Sequence, residues 1–316
     1  MTATATSDGP GSHGYYGRPV LKKPVWKPVI AVYFFTGGVA GASSTLALGA
    51  RLCGHHRLAR SALLTSLAGL AVSGPLLVVD LGKPARFANM LRVAKPTSPM
   101  SVGSWVLTAF APGCIAAAAS EVTGLLPAVG AAGGVLAGVL GPAVATYTAV
   151  LVTDTAIPAW HGAARQLPFL FAGSAAASAA GAALALTPVA DAGAARRLAA
   201  AGAALELGAF RRMEAALGDA GGPYRDGRAG KLAKAAEACT AAGAILALAG
   251  ARRRRSLAVA AGALLGAGSL LTRFAVYRAG FESAADPSAT IGPQRRRADE
   301  RDRIGTGLTA GVPSEP

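Results

Sequence analysis

Eight long apolar stretches alternate with short polar segments along this chain, and the polar segments hold nearly all of its charge. A helix of about 20 apolar residues is long enough to cross a hydrocarbon core of about 30 Å. The pattern therefore predicts eight membrane-spanning helices, over residues 28–50, 61–79, 101–120, 128–153, 167–188, 194–210, 232–251 and 256–277.

The bilayer also limits the secondary structure of these stretches. Lipid cannot satisfy backbone amides, so a span must be a helix or part of a closed barrel, and the alternating pattern of barrel strands is not seen. We therefore expect an all-α polytopic membrane protein. The alternative, one large soluble helical core, fits poorly with only 15% charged residues and a mean hydropathy of +0.42.

The polar segments divide the chain into five regions. Residues 1–27 are polar and contain no apolar core of a cleavable signal peptide, and residues 282–316 are charged, so we expect a polar N-terminal tail and a disordered C-terminal tail. Between the tails, an interfacial loop at 154–166 separates four predicted spans in residues 28–153 from four in residues 167–281.

The formal net charge of +15 reflects topology rather than nucleic-acid binding, because the basic residues are spread over the polar segments without interleaved aromatic side chains. With eight spans both termini share one side, here called the termini side. It carries 21 Lys and Arg residues against nine on the opposite, far side. Such an excess marks the cytoplasm, so we expect a plasma-membrane protein with both termini inside. The basic run Arg252–Arg255 on the far side argues against this orientation.

Histidine and cysteine restrict the possible redox chemistry. Haem in a helical bundle needs axial histidines that project from the spans, and iron–sulfur or zinc sites need clustered cysteines. The histidines lie outside the apolar stretches and the cysteines stand apart from one another: His13, His55, His56, His161, Cys53, Cys114 and Cys239. We expect no haem, iron–sulfur cluster or metal held by this chain.

Three segments on the termini side carry the candidate chemistry. They are Trp26–Gly38, then Asp80–Phe87 continuing through Lys95–Ser101 to Trp105, and Tyr147 with Asp154, Pro158–His161 and Arg165. The first also fits an aromatic belt at the membrane interface, and the second fits a surface connector whose cations reach for water. The third brings a carboxylate, an imidazole and a guanidinium to the mouth of one span.

Five stretches within these segments, in this order and with eight spans, closely resemble the NrfD family, the membrane subunit of polysulfide-reductase-like molybdoenzyme complexes. The stretches are Tyr33–Gly41, Asp80–Pro84, Lys95–Ser101, Tyr147–Leu151 and Ala156–His161, within a resemblance over residues 15–282. It implies two four-helix bundles and a quinone site, such as one for menaquinone. It also implies a four-cluster ferredoxin-like iron–sulfur subunit docked near that site. Beyond it would lie a molybdenum or tungsten bis-pterin catalytic subunit, of the formate dehydrogenase or polysulfide or thiosulfate reductase type.

A quinone pocket needs donors for two ring carbonyls, an apolar slot and groups that exchange protons. By resemblance, Tyr147 matches a tyrosine implicated in quinone contact. Tyr33 and Thr36 stand where some family members have Asn or His. Asp154 and His161 are our candidates for proton exchange. Asp154 follows Tyr147 by seven residues, two helical turns, so the two are expected on the same helix face. Further candidates at the membrane edge, which could equally pair for structural reasons, are Asp80, Lys83 and Arg86.

Two charged residues within the predicted spans are candidates for chemistry, Glu206 and Arg273. An intramembrane carboxylate is expensive and usually faces a polar interior or a partner. Glu206 in the sixth stretch could pair with Arg273 in the eighth. Both stretches belong to the second predicted bundle, for which a proton route has been suggested in the family that the chain resembles. The alternative is that both side chains snorkel to water at the helix ends.

Two other functions remain open. A small-molecule or ion transporter would predict inverted repeats with interrupted helices, and residues 28–153 show no convincing repeat in residues 167–277. A purely structural membrane anchor for a redox enzyme would need no quinone contact.

We predict that the chain purified by itself contains no haem and no iron, because its histidines lie outside the spans and its cysteines are scattered. Absorption spectroscopy and iron analysis check this. A Soret band with stoichiometric iron would contradict it.

Overall fold

The computed structural model describes residues 21, 22, 24–81, 89–252 and 254–286, and their regular structure is helical throughout. The expected all-α class is confirmed. The long helices are α1 (Val29–Leu52), α2 (His56–Leu81), α3 (Pro99–Thr123), α4 (Pro127–Thr153), α6 (Leu167–Leu186), α7 (Gly193–Leu217), α9 (Gly227–Ala249) and α10 (Arg255–Ala285). One-turn helices α5 (Pro158–His161) and α8 (Gly222–Arg225) and a 3-10 turn (Gly218–Gly221) lie between them.

Seven of the long helices are long and apolar enough to cross a membrane. The exception among those described is α7, which covers the predicted stretch 194–210. This helix carries six charged residues, at Arg196, Arg197, Glu206, Arg211, Arg212 and Glu214. By length and composition, the structure therefore supports a multi-pass membrane protein with seven candidate spans rather than the predicted eight.

The helices run past the apolar stretches that predicted them. Helix α2 begins at His56 rather than residue 61, and α10 continues to Ala285 rather than ending at 277. Backbone hydrogen bonding is indifferent to side-chain polarity, so a helix continues into the polar interface where the hydropathy signal stops. For the same reason the expected loop at 154–166 contains a helical turn, α5, that starts at Pro158.

Helices that follow one another in the chain pack together, and α1, with smaller contributions from α4 and α2, joins the two halves. Helix α1 packs closely on α2 and α4, and α3 packs on α4 but only loosely on α2. In the second half, α6 packs on α7 and α10, and α9 packs on α10. Contacts of α1 with α6 and α10 connect the halves.

Glycine allows the backbones of α1 and α4 to touch. A Cβ atom on Gly41 would overlap the carbonyl oxygen of Gly141, and one on Gly141 would overlap the carbonyl oxygen of Gly41. Gly181 of α6 and Gly262 of α10 face each other in the same way. Membrane helices gain little from hydrophobic association with one another, so close van der Waals packing of this kind supplies much of their attraction.

Hydroxyl groups reinforce these contacts. Ser44 Oγ of α1 donates to the carbonyl of Ala137 in α4 at 2.9 Å. Ser66 Oγ of α2 donates to the carbonyl of Ala40 in α1 at 2.8 Å. Both bonds satisfy a polar group in the interior and fix α1 against its two neighbours.

We predict that Gly41→Ala lowers the free energy of unfolding by about 1–3 kcal/mol, because the new methyl group forces α1 away from α4. Gly49→Ala is the matched control on the same helix, since no atom lies within 4 Å of where its methyl group would stand; it should be neutral or stabilising by up to about 1 kcal/mol. Thermal unfolding in detergent measures both. Equal stability of the two variants would contradict the packing described here.

Candidate functional site

Aromatic side chains gather at the termini side of the helices. Trp26, just before α1, lies with its ring centroid 5.3 Å from Trp160 of α5 and 6.3 Å from Phe34 of α1. Phe34 in turn lies 6.1 Å from Phe171 of α6. The cluster joins the N-terminal strap (residues 24–28), α1, α5 and α6 into one packed unit.

Trp160 locks α5 onto the last helix. Its ring is almost fully buried and covers Gly280 of α10, where a Cβ atom would overlap the indole. Its Nε1 donates to the carbonyl of Val276 at 2.7 Å. The sequence predicted this segment as an interfacial loop, but the structure makes it a fixed platform.

Tyr224 of α8 contacts this platform through a hydrogen bond. No pattern in the sequence predicted this role for Tyr224. Its hydroxyl donates to the carbonyl of Ala159 at 3.4 Å. Burial raises the pKa of Tyr224, so the hydroxyl stays protonated and keeps this donor role. Ser283 of α10 accepts from the backbone amide of Ala159 at 3.4 Å on the other side.

The strap is tied to α2 and α10. The backbone amide of Lys27 donates to Asp80 Oδ1 at 3.2 Å, and Lys27 Nζ donates to the carbonyl of Val79 at 3.2 Å. Tyr277 donates its hydroxyl to the carbonyl of Trp26 at 2.9 Å. Asp80 thus holds the strap in place. The two cations predicted beside it, Lys83 and Arg86, lie outside the described residues.

Tyr33 and Tyr147 belong to one apolar cluster, together with Leu76 and Leu77 of α2. Tyr33 is buried, whereas Tyr147 is half-buried with its ring lying against Gly103 of α3. Neither phenol makes a hydrogen bond within the part of the chain that the structure describes. Both donors are therefore available to a ligand.

Thr36 is less available than the two tyrosines. Its hydroxyl shares a hydrogen bond with Ser73 Oγ of α2 at 2.8 Å and lies 3.4 Å from the carbonyl of Tyr33. The side chain therefore joins α1 to α2. Any contact with a ligand would have to share this hydroxyl with Ser73.

Asp154 and His161 meet at the end of α4. His161 Nδ1 lies 3.2 Å from the carbonyl of Thr153, the last residue of the helix, and both His161 and Asp154 are exposed. Asp154 is the C-cap of α4, and its backbone amide still bonds the carbonyl of Val150 at 3.0 Å. Its carboxylate is exposed to water, and its place on one helix face with Tyr147 stays a prediction.

Three cavities of more than 400 Å³ lie between or beside the helices, and Tyr147 lines none of them. One of about 480 Å³ opens near the far side between α1, α4, α6 and α7. One of about 440 Å³ lies between the halves and includes Thr36. One of about 510 Å³ lies outside α6 and α7, near the termini side. The ring of Tyr147 instead lies against Gly103 of α3.

Glu206 and Arg273 are both in the interior, only 3% and 0% exposed, so the expectation that they snorkel to water is wrong. Thr272 and Thr240 donate their hydroxyls to the Glu206 carboxylate at 2.6 and 3.3 Å. The Arg273 guanidinium lies 3.6 Å above the Phe171 ring and donates to the Phe171 carbonyl at 3.0 Å.

The expected direct pair does not form either, since no ion pair within 4 Å joins the two charges in the described residues. Arg273 keeps Nε and Nη1 without a partner there. Glu206 and Arg273 still attract each other over a longer distance. Their direct contacts, however, are with uncharged groups.

Comparison with known proteins adds one finding. A model of the family described as Polysulphide reductase, NrfD matches residues 20–207, more than half of the chain. The match includes the strap, α1–α6, Tyr147, Asp154 and His161, and it ends within α7. No curated protein sequence matches the chain.

Proposed function

Because this chain belongs to the NrfD polysulphide reductase family, we propose that it passes electrons between an iron–sulfur partner and the menaquinone pool of the membrane. The family consists of membrane subunits of redox complexes, whose members work with iron–sulfur and molybdopterin oxidoreductase subunits. For this chain we propose a four-cluster ferredoxin-like subunit and, beyond it, a molybdenum or tungsten bis-pterin catalytic subunit.

The observation that carries the quinone proposal is the pair of unengaged phenols in one apolar cluster. Tyr147 reaches the cluster from α4 and Tyr33 from α1, while Leu76 and Leu77 supply apolar contacts from α2. Two hydroxyl donors beside apolar walls suit a ring with two carbonyl oxygens. The loose packing between α2 and α3 offers the ring an entrance from the bilayer.

When bound, the quinone takes up or releases two electrons and two protons. The chain itself supplies the side chains that would exchange these protons. Asp154 and His161 lie together in water at the end of α4, where they can exchange protons with solvent and pass them inward through water. Electrons come from the partner, because this chain offers no clustered cysteine ligands in its sequence.

The partner would dock on the termini side, against the strap, the segment that follows α2 and the α5 platform. The strap is fixed by Asp80 and Tyr277, and α5 is fixed by Trp160. A surface held in place on both sides keeps a constant separation between a docked redox centre and the phenols. The predicted docking segments 15–27, 80–100 and 154–166 contain these elements, although part of the first two lies outside the described residues.

We further propose that α7 is an eighth span. Asp191, just before α7, pairs with Arg57 at 3.2 Å on the far side, whereas α8, just after it, contacts Ala159 on the termini side. The charged residues of α7 lie mainly near its two ends. Glu206 is the only charged residue between Arg197 and Arg211. Eight spans then form two four-helix bundles, α1–α4 and α6, α7, α9 and α10.

An even number of spans returns both termini to one side of the membrane. The Lys and Arg excess on that side, 21 against nine, favours the cytoplasm of a cell whose plasma membrane holds the complex.

We predict that Tyr147→Phe weakens quinone binding by roughly 2- to 10-fold, because it removes one hydrogen bond and keeps the ring on Gly103. Tyr224→Phe is the control: it removes a phenol on the same side that bonds the backbone of α5 instead. Quinol-analogue titration of the assembled complex measures both. A normal affinity for the Tyr147 variant would place the carbonyl contact elsewhere.

We also predict that Asp154→Asn lowers turnover by roughly tenfold or more with little change in quinone binding, because it removes a titratable group and keeps the size. Asp226→Asn, another exposed carboxylate near the termini side, should leave turnover unchanged. Steady-state quinol oxidation or quinone reduction by the assembled complex measures the rates. Equal rates for the two variants would exclude Asp154 from proton exchange.

The eighth span and the orientation are checked by labelling single cysteines in intact cells, after replacement of Cys53, Cys114 and Cys239. Arg197 and Arg228 are exposed before and after the central part of α7. Arg197→Cys should react with an impermeant maleimide from outside and Arg228→Cys only after the cells are opened. Labelling of both from the same side would show that α7 does not cross.

A further inference from the structure

A groove on the outer surface of α6 and α7 combines positive charge with apolar walls. It has a volume of about 510 Å³, and Arg165 and Arg212 lie at its polar end. Phe169 and Leu205 line it further along the helices and are 60% and 42% exposed. Gly208 opens the wall between them, since no atom lies within 4 Å of where its Cβ would stand.

The two guanidinium groups have no anionic partner among the residues that the structure describes. Neither Arg165 nor Arg212 makes an ion pair or hydrogen bond with a described residue, and no residue that lines the groove is acidic. Arginine presents a planar fork of donors that matches phosphate oxygens. The polar end of the groove therefore suits a phosphate group.

A third polar group lies unused at the same end. Gln166 lines the groove, and its Oε1 atom is buried without a hydrogen-bond partner in the described part of the chain. A buried carbonyl oxygen without a donor is costly. Gln166 as a whole is only half-buried, so a rotation of its side chain would bring this oxygen to a hydroxyl of a ligand in the groove.

The apolar end of the groove identifies the source of the phosphate. Phe169 belongs to α6, a candidate span, so the walls continue from the termini side into the hydrocarbon region. A free phosphate ion would leave these walls uncovered, whereas a lipid tail would cover them. Basic pockets at the membrane edge of helical proteins bind anionic lipid headgroups on this principle.

We propose that this groove binds one anionic phospholipid with a hydroxylated headgroup, such as phosphatidylglycerol. The phosphate lies between Arg165 and Arg212, a headgroup hydroxyl donates to Gln166, and an acyl chain follows Phe169 and Leu205 past Gly208. The lipid bridges the start of α6 and the end of α7. This site is separate from the proposed quinone pocket and does not depend on it.

Native mass spectrometry of the full chain in detergent, titrated with phosphatidylglycerol or phosphatidylcholine, tests the proposal. One phosphatidylglycerol should bind in preference to phosphatidylcholine. The double variant Arg165→Gln/Arg212→Gln should weaken its binding roughly 30-fold, from about fivefold for each basic residue. Arg228→Gln, which neutralises an exposed arginine outside the groove, is the control for loss of a positive charge elsewhere and should change the affinity less than twofold.

A second variant tests the acyl-chain contact without changing charge. Gly208→Leu fills the open wall and should weaken phosphatidylglycerol binding as the arginine variants do, because its side chain projects into free space rather than into another helix. Inorganic phosphate in millimolar excess should not displace the lipid. Equal binding of the two lipids, an equal loss in Arg228→Gln, unchanged binding in Gly208→Leu, or full displacement by phosphate would each overturn the proposal.

Discussion

Hydrocarbon offers no hydrogen-bond partner, so a polar side chain inside these helices can bond only to other groups of the protein. Arg273 shows the strongest case. Its guanidinium donates to the carbonyl of Phe171 and lies over the ring of the same residue, which offsets part of the cost of burying a cation. Gly38 of α1 leaves the room that this group needs. Three helices, α1, α6 and α10, therefore meet around one cation where the two halves of the chain join.

The proposed redox role divides the work between parts of the molecule that differ in rigidity and in access to water. Trp160 and the strap form a fixed surface on the termini side. The phenols of Tyr33 and Tyr147 lie below it in an apolar cluster, away from bulk water. Asp154 and His161 remain exposed at the end of α4. Under the proposed function, proton exchange takes place at the edge, while hydrogen bonding to a ring takes place where water competes less.

Hydropathy predicted the positions of the long helices because burial in lipid dominates their sequences, yet it could not predict where they end. Helix α10 continues through Arg278 to Ala285 because the backbone bonds do not depend on polarity. Local motifs pointed to Tyr147, Asp154 and His161, which are close in sequence. The bond between Lys27 and Asp80 and the contact of Trp160 with Gly280 join distant parts of the chain, so no local pattern revealed them. The burial of Glu206 was missed for a related reason: hydropathy does not say which face of α7 meets Gly173 of α6.

The bond from Tyr277 to the carbonyl of Trp26 spans 251 residues. A ribosome makes the N-terminal end first, so Trp26 emerges long before the helix that holds it exists. Until α10 is inserted, Trp160 also lacks Gly280 and Val276, and two indole rings remain uncovered at the membrane edge. A nascent chain therefore keeps part of this aromatic surface exposed until its last helix is inserted.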